Sequence, residues 1–320
     1  SGSMGDKIAP TIQQLMNLTM FCRKVNIPFE VYAFSNNSSY NNSVDDDGNL
    51  TRKYPVPNYQ DGDITVDHTM VLLNFISSKM TAKEYDEGMI NLHFMGIKYG
   101  YDRYAYRGRN YDYEAAKAEQ WKDDLVSVPR GYQLSSTPLN DTIMAAMKLV
   151  PAFQKKSGIQ KTHIVFLTDG ASNEIRNKFT IKTDTTGEDF ESVDRDFCPY
   201  YYNSYRADVN ANQNVYFDPI TNARVNSKDI TGRNVQTKCI LELLKKRCPE
   251  ASIVNFFVAG EGRNGLVRSK IFQDIVGYEW KHEDLIKNYR KTLRKDNFVS
   301  IEGGQGFDTI YILPGMNDLD

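Results

Sequence analysis

The chain is poor in the residues that build disulfide frameworks and zinc sites. It has four cysteines and four histidines among 320 residues, with no CxxC pair, no HExxH motif and no His/Cys cluster. Four cysteines in a chain of this length do not form a disulfide scaffold, so the compartment we expect is a reducing cytoplasm. The scattered histidines argue against a zinc enzyme.

Long apolar runs and an excess of charge are also absent. No stretch approaches the roughly 18 apolar residues that a transmembrane helix needs, and no signal peptide is visible. Lys and Arg number 39 against 41 Asp and Glu, a net charge of −2. Neither nucleic acid nor a membrane surface is therefore expected as a partner. The composition, 40% hydrophobic and 25% charged, is that of an ordinary globular protein with a real core.

What the chain does contain is an alternation of apolar strands and amphipathic helices. Residues 162–167 form an unbroken apolar run typical of a strand buried on both faces, and residues 29–34 and 253–259 have the same character. We predict an α/β fold in which these strands are neighbours in a doubly wound, mostly parallel sheet with helices on both faces. We expect one domain over residues 1–320 with insertions at about 36–63 and 175–234, because the alternation resumes after each.

Local signals place several elements. Apolar residues at helical spacing from Ile8 to Cys22 predict a first helix. The Thr81-x-x-Glu84 pattern is a capping box that predicts a second helix, ending near residue 100. Residues 215–225 predict a hairpin around a Pro/Asn turn inside the second insertion.

Three short polar segments can meet at the carboxyl end of the predicted sheet, where ligands of open α/β sheets bind. Asp169 follows the strand 162–167 within a Thr-Asp-Gly motif, and Thr137 opens the preceding helix in a Ser-Thr-Pro-Leu motif. Ser1 and Ser3 precede the first helix. A carboxylate with several hydroxyls is the ligand set of a hard divalent cation. We therefore predict a metal site formed by Ser1, Ser3, Thr137 and Asp169, with Mg²⁺ as the ion and Mn²⁺ or Ca²⁺ as alternatives.

Each of these segments also has a purely structural interpretation. Thr137 before Pro138 has the pattern of a helix N-cap followed by proline at the first helical position. Asp169 before a glycine is a common turn, and serines at a terminus are commonly disordered. The glycine-rich segment 260–265 has the spacing of a dinucleotide-binding loop, but no acidic residue ends a following strand, so a tight strand–helix turn is favoured.

In this order, the three polar segments resemble the metal-ion-dependent adhesion site of the von Willebrand factor A domain. The resemblance implies Mg²⁺ held largely by neutral oxygens, with one position open for a partner's carboxylate. Segments 29–35 and 168–172 are most similar to the branch related to the CobT-type subunit of cobalt chelatase, which includes versions carried by tailed phages. In that branch the domain works beside a MoxR-like AAA+ ATPase, so the resemblance implies a non-catalytic adaptor for such a machine.

The alternative function is a subunit of a metal chelatase or a metal-assisted hydrolase, which requires a catalytic base that these motifs do not supply. One departure from the family pattern matters. The family's leading aspartate lies two residues before the first serine, on a strand that would precede Ser1 here. We therefore expect a first strand to be missing from the sheet and the metal site to be weakened. The other interpretation is that residues 1–3 are an artificial extension before a native Met4.

Overall fold

The computed structural model describes residues 8–36, 42–44, 50–52, 63–67, 70–101, 132, 137–168, 172, 175, 215–232, 234–258 and 283–313. The helices in this part of the chain are α1 (Ile8–Lys24), α2 (Ala82–Tyr101), α3 (Leu139–Ser157), α4 (Val235–Arg247) and α5 (Glu283–Asp296). The strands are β1 (Glu30–Asn36), β2 (Asn42–Val44), β3 (Leu50–Arg52), β4 (Met70–Ser77), β5 (Thr162–Leu167), β6 (Val215–Asp218), β7 (Ala223–Asn226), β8 (Ala251–Val258), β9 (Val299–Glu302) and β10 (Thr309–Leu313). None of these helices combines the length and apolar character that crossing a membrane requires.

The largest sheet has four strands in the order β5-β8-β10-β9. β8 lies between β5 and β10 and is parallel to both, whereas β9 is antiparallel to β10. The parallel pairs require crossover connections, because a parallel neighbour cannot be reached by a tight turn. α4 lies on the crossover from β5 to β8, and α5 precedes the final β9–β10 hairpin.

One face of this sheet carries the main hydrophobic core. The register places alternate residues of each strand on that face, and Ile253, Phe257, Ile310 and Ile312 are at most 1% exposed there. α3 and α4 supply the covering layer, since their apolar residues belong to the same buried cluster. Burying side chains of this size contributes about 1.5–3 kcal/mol each, so this layer is the main source of stability.

A second, smaller layer is built on the antiparallel pair of β1 and β4. α1 and α2 pack together over it, and their cluster contains Ile12, Ile76, Tyr85 and Leu92. A Cβ added at Gly88 of α2 would lie 3.3 Å from the Phe75 carbonyl of β4, so glycine permits this close approach of helix and strand. Phe34 of β1 and Ile64 pack against the larger core and join the two layers.

The sequence predictions for individual elements are largely confirmed. The first helix, the hairpin and the parallel neighbours β5 and β8 have the predicted positions. The capping box is also present: the Thr81 N–H donates to Glu84 Oε2 at 2.8 Å, and the Glu84 N–H donates to Thr81 Oγ1 at 3.3 Å.

The arrangement of the strands differs from the prediction in two respects. β1 is not in the same sheet as β5 and β8: within the described residues it pairs only with β4, and the pairing is antiparallel. An apolar run in the sequence does not by itself specify which strand it will pair with or in which direction. β5 is not buried on both faces either, because Val165 is 39% exposed. The structure therefore establishes helices with a mixed parallel and antiparallel sheet, which is compatible with an α/β fold.

The hairpin of β6 and β7 is fixed to α4 by a buried ion pair. Arg247 Nε donates to Asp218 Oδ2 at 2.9 Å, and a second guanidinium nitrogen donates to Oδ1. The Asp218 carboxylate, only 1% exposed, also accepts from Thr221 Oγ1 at 2.7 Å and from the Ile220 N–H at 3.0 Å. The hydrogen bonds from Arg247 are the main reason that the pKa of Asp218 is lowered from 3.8 to about 2.

We expect Asp218→Asn to lower the free energy of unfolding at pH 7 by about 2 kcal/mol, the equivalent of this pKa shift. Because the pKa is depressed in the folded state, the stabilisation is present above pH 4 and is lost as the pH falls toward 2. The difference in unfolding free energy between the wild type and the variant should fall to about half of its pH 7 value at pH 3. Urea titrations at both pH values measure it, with the exposed Asp229→Asn as control. A difference that is unchanged at pH 3 would contradict this assignment.

Candidate functional site

The start of α3 is unusual among the described helices because its N-cap residue is a proline. Pro138 occupies this position with φ −80° and ψ 56°, and no side chain caps the helix. Its carbonyl accepts from both the N–H and the hydroxyl of Thr142, at 3.0 Å and 2.8 Å. Thr137 precedes it and is 8% exposed, and no hydrogen bond of its hydroxyl is found in the described part of the chain. The N-cap interpretation of Thr137 is therefore wrong.

Two described residues that follow β5, Thr168 and Ser172, are fixed by hydrogen bonds, and the second lies beside the first turn of α3. Thr168 is 3% exposed, and its N–H donates to the Phe256 carbonyl at 3.3 Å, which extends the parallel ladder beyond β5. Ser172 Oγ accepts a hydrogen bond from the Asn140 N–H at 2.7 Å. The start of α3 and Ser172 therefore meet near the carboxyl end of β5.

A buried amide pair joins the start of α4 to the same place. Gln236 Oε1 accepts from the Ile175 N–H at 2.6 Å, and Gln236 Nε2 donates to the Ile175 carbonyl at 2.7 Å. The same Oε1 also accepts from Asn140 Nδ2 at 2.9 Å, and Asn140 Oδ1 accepts from Thr237 Oγ1 at 2.7 Å. The first turns of α3 and α4 are thus connected to each other and to Ile175.

A buried carboxylate also lies at this edge. Asp141, in the first turn of α3, is 4% exposed, and its Oδ1 accepts from the Asp67 N–H at 2.7 Å. The sequence interpretation missed Asp141, Asn140 and Gln236 as residues of this region. The sequence does contain a signal for Asn140 and Asp141, because these polar residues directly follow Thr137-Pro138-Leu139 in a helix with an otherwise apolar periodicity.

The electrostatics of this edge decide which ligands fit. The N-terminal ends of α3 and α4 each carry a partial positive charge, which favours an anion by about 0.3–1 kcal/mol. The Coulomb attraction between a divalent cation and one carboxylate 4 Å away is roughly 8 kcal/mol at an effective dielectric constant of 20. A cation is therefore favoured here only if at least one carboxylate is among its ligands, and a second anion is then favoured beside it.

The four residues predicted as metal ligands have different outcomes. Thr137 lies at the edge described above, buried at the start of α3. Ser1, Ser3 and Asp169 lie outside the described residues, so their placement at the site stays a prediction. Among the residues that are described, no three or more His, Cys, Asp or Glu side chains are grouped so that they could hold a metal ion. The hydroxyl of Thr137, the predicted ligand that is described, is of the oxygen type that Mg²⁺ prefers.

No family model matches the chain, and no similar protein was found among curated proteins or solved structures. The interpretation of this edge therefore depends on its own contacts and on the motifs in the sequence.

The difference between the two helix starts can be tested by exchanging a hydroxyl for a methyl group. Thr81 caps α2 and Thr137 does not cap α3, so Thr81→Val should cost about 1 kcal/mol of unfolding free energy. Thr137→Val should be near neutral, because it removes a buried hydroxyl without breaking a cap. Thermal and urea unfolding of both variants measure this. An equal or larger loss for Thr137→Val would mean that the Thr137 hydroxyl supports the fold.

Proposed function

We propose that this chain is a Mg²⁺-dependent protein-binding module. In this proposal Thr137 and Asp169 hold the ion, Ser1 and Ser3 contribute further oxygens, and a partner's Asp or Glu completes the coordination. The observation that carries the proposal is the hydrogen bond from the Asn140 N–H to Ser172 Oγ, 2.7 Å long. It holds Ser172, which lies three residues after Asp169 in the sequence, beside the helix that begins next to Thr137.

The chemistry of these side chains supports a divalent ion that remains partly open. Hydroxyl oxygens are neutral ligands, so one carboxylate leaves most of the charge of Mg²⁺ uncompensated. A carboxylate from a partner neutralises this remaining positive charge and is also favoured by the two nearby helix N-termini. Mn²⁺ and Ca²⁺ accept the same oxygen ligands and are the alternative ions.

The finer fold that accompanies this function is the doubly wound arrangement of the von Willebrand factor A domain. Its support is the pattern of unpaired edges. Within the described residues, the edge of β1 away from β4 and the edge of β5 away from β8 have no strand partner. A further strand between them would join the two sheets into one and would cover the exposed Tyr32 and Val165.

For the partner we propose a MoxR-like AAA+ ATPase in the cytoplasm, which is the host cytoplasm if the chain is carried by a phage. The support for this partner is the resemblance of segments 29–35 and 168–172 to the CobT-type branch. The near-neutral charge of the chain, −2, agrees with recognition through one specific site, because it provides no general electrostatic attraction.

A pull-down with the purified ATPase tests the proposal. We expect binding in Mg²⁺, loss of binding in EDTA, and recovery when Mg²⁺ is restored. Asp169→Ala should abolish binding without changing the melting temperature, since a carboxylate that holds an ion contributes to ligand binding more than to the core. Thr137→Val should weaken binding without abolishing it, because other oxygen ligands remain.

The matched control is Asp229→Ala, which removes an exposed carboxylate from the short helical turn after β7. Its binding should equal that of the wild type in every buffer. Binding that survives both EDTA and Asp169→Ala would show that the partner docks elsewhere and that the proposed metal site does not serve recognition.

A further inference from the structure

We propose that α5 carries a docking surface for an acidic segment of another protein. The surface consists of four exposed basic side chains, which we call the basic stripe: Lys287, Lys291, Arg294 and Lys295. This inference goes beyond the proposed function, because the stripe lies on a different helix from Thr137 and needs no metal ion.

The first argument is the orientation of α5. Tyr289 and Leu293 pack against the main hydrophobic core, and residues four positions apart lie on the same side of a helix. At 3.6 residues per turn, the basic stripe occupies an arc of about 100° centred opposite these two residues, and it extends about 12 Å along the helix axis. The packing of Tyr289 and Leu293 therefore turns the whole stripe toward solvent.

The second argument is that no carboxylate neutralises the stripe. Within the part of the chain that the structure describes, none of its four side chains forms an ion pair. Lysines of other helices do: Lys83 lies 3.8 Å from Glu87, and Lys245 lies 3.0 Å from Asp308. The positive charge of the stripe is therefore available to another molecule.

The third argument is that the stability of α5 does not explain its charges. Residues 287–296 contain five basic residues and one acidic residue, in a chain whose net charge is −2. Arg294 and Lys295 lie in the last turn, where cations interact favourably with the helix dipole. Lys287 and Lys291 lie further from that end, and like charges four residues apart destabilise a helix. An anionic partner explains the repeated lysines better than the helix itself does.

The fourth argument concerns the kind of anion. Three of the four side chains are lysines, which are compact point charges, whereas arginine is the residue preferred for bidentate recognition of phosphate. Between Lys287 and Lys295 the one aromatic residue, Tyr289, packs against the core, so the stripe offers no ring on which a base could stack. The net negative charge of the chain also disfavours nucleic acid. Carboxylates of a protein segment are the ligands that fit.

The spacing of the stripe indicates how such a segment would lie. Lys287, Lys291 and Lys295 follow one another at four-residue intervals, about 6 Å along the helix axis. Alternate side chains of an extended peptide are about 6.6 Å apart. An acidic segment in an extended conformation can therefore place one carboxylate opposite each lysine.

The experiment is a fluorescence anisotropy titration of the full chain into a fluorescein-labelled oligoglutamate peptide, at low ionic strength and in EDTA. EDTA keeps this test independent of the proposed metal site, so that either idea can fail without the other. We expect Lys291→Gln/Lys295→Gln to weaken peptide binding by about tenfold, the effect of losing two exposed ion pairs. Added salt should also weaken binding, because exposed charges are screened.

The matched control is Lys155→Gln/Lys156→Gln, which removes the same charge from two exposed lysines in the last turn of α3. It should bind the peptide as the wild type does, and both variants should keep the wild-type melting temperature because the four positions are exposed. Equal losses of affinity in the two variants would show that binding follows net charge alone and would overturn the docking surface. A wild-type chain that does not bind the peptide would overturn it as well.

A labelled single-stranded oligonucleotide of the same charge is titrated in parallel. We expect it to bind more weakly than the peptide. Tighter binding of the oligonucleotide, lost in Lys291→Gln/Lys295→Gln, would show that the stripe serves nucleic acid and that the proposed acidic protein partner is wrong.

Discussion

The parallel pairing of β5 with β8 is the constraint on which the rest of the structure depends. Two parallel neighbours have their carboxyl ends at the same edge, and the chain must cross over the sheet to connect them. α4 lies on that crossover, and α3 packs against it over the buried face of the sheet. The first turns of both helices consequently lie beside residues that follow β5: the Asn140 N–H donates to Ser172, and Gln236 binds Ile175.

The carboxyl edge of the β5–β8 pair differs from the core beneath it in the polarity of its buried side chains. The core between the sheet and the helices is apolar, and its stability comes from the removal of aliphatic surface from water. At the edge, polar groups of Asn140, Asp141, Thr168 and Gln236 are buried at 4% exposure or less. Desolvating a polar group without a partner costs about 1–3 kcal/mol, so these groups stabilise the fold only if their hydrogen-bond geometry is satisfied.

The positions of helices and strands along the chain could be predicted from the sequence much better than which strands lie next to each other in the fold. The helices, the β6–β7 hairpin and the Thr81 capping box follow from spacing within about a dozen residues, which is local information. The separation of β1 from β5 could not be predicted in this way, because an apolar run does not specify which edge it will pair with.

The contacts of the candidate site were also beyond what local sequence patterns can predict. A threonine before a proline at a helix start has the pattern of an N-cap, yet the N-cap residue of α3 is Pro138. The contacts of Gln236 connect residues 61 and 96 positions apart, and no local pattern in one sequence indicates such pairs. The short β2–β3 pair, with three residues in each strand, was also missed, because three residues are too few for a periodicity to be recognised.

We propose that a divalent ion binds between Thr137 and Asp169. The most direct measurement is an anomalous difference map from crystals of the chain grown with Mn²⁺, recorded at the manganese absorption edge. The account predicts one peak with Thr137 Oγ1 and an Asp169 carboxylate oxygen at about 2.1–2.2 Å, the distance expected for an octahedral oxygen site. A map with no peak between these two residues, or with its manganese at another place in the fold, would contradict the account.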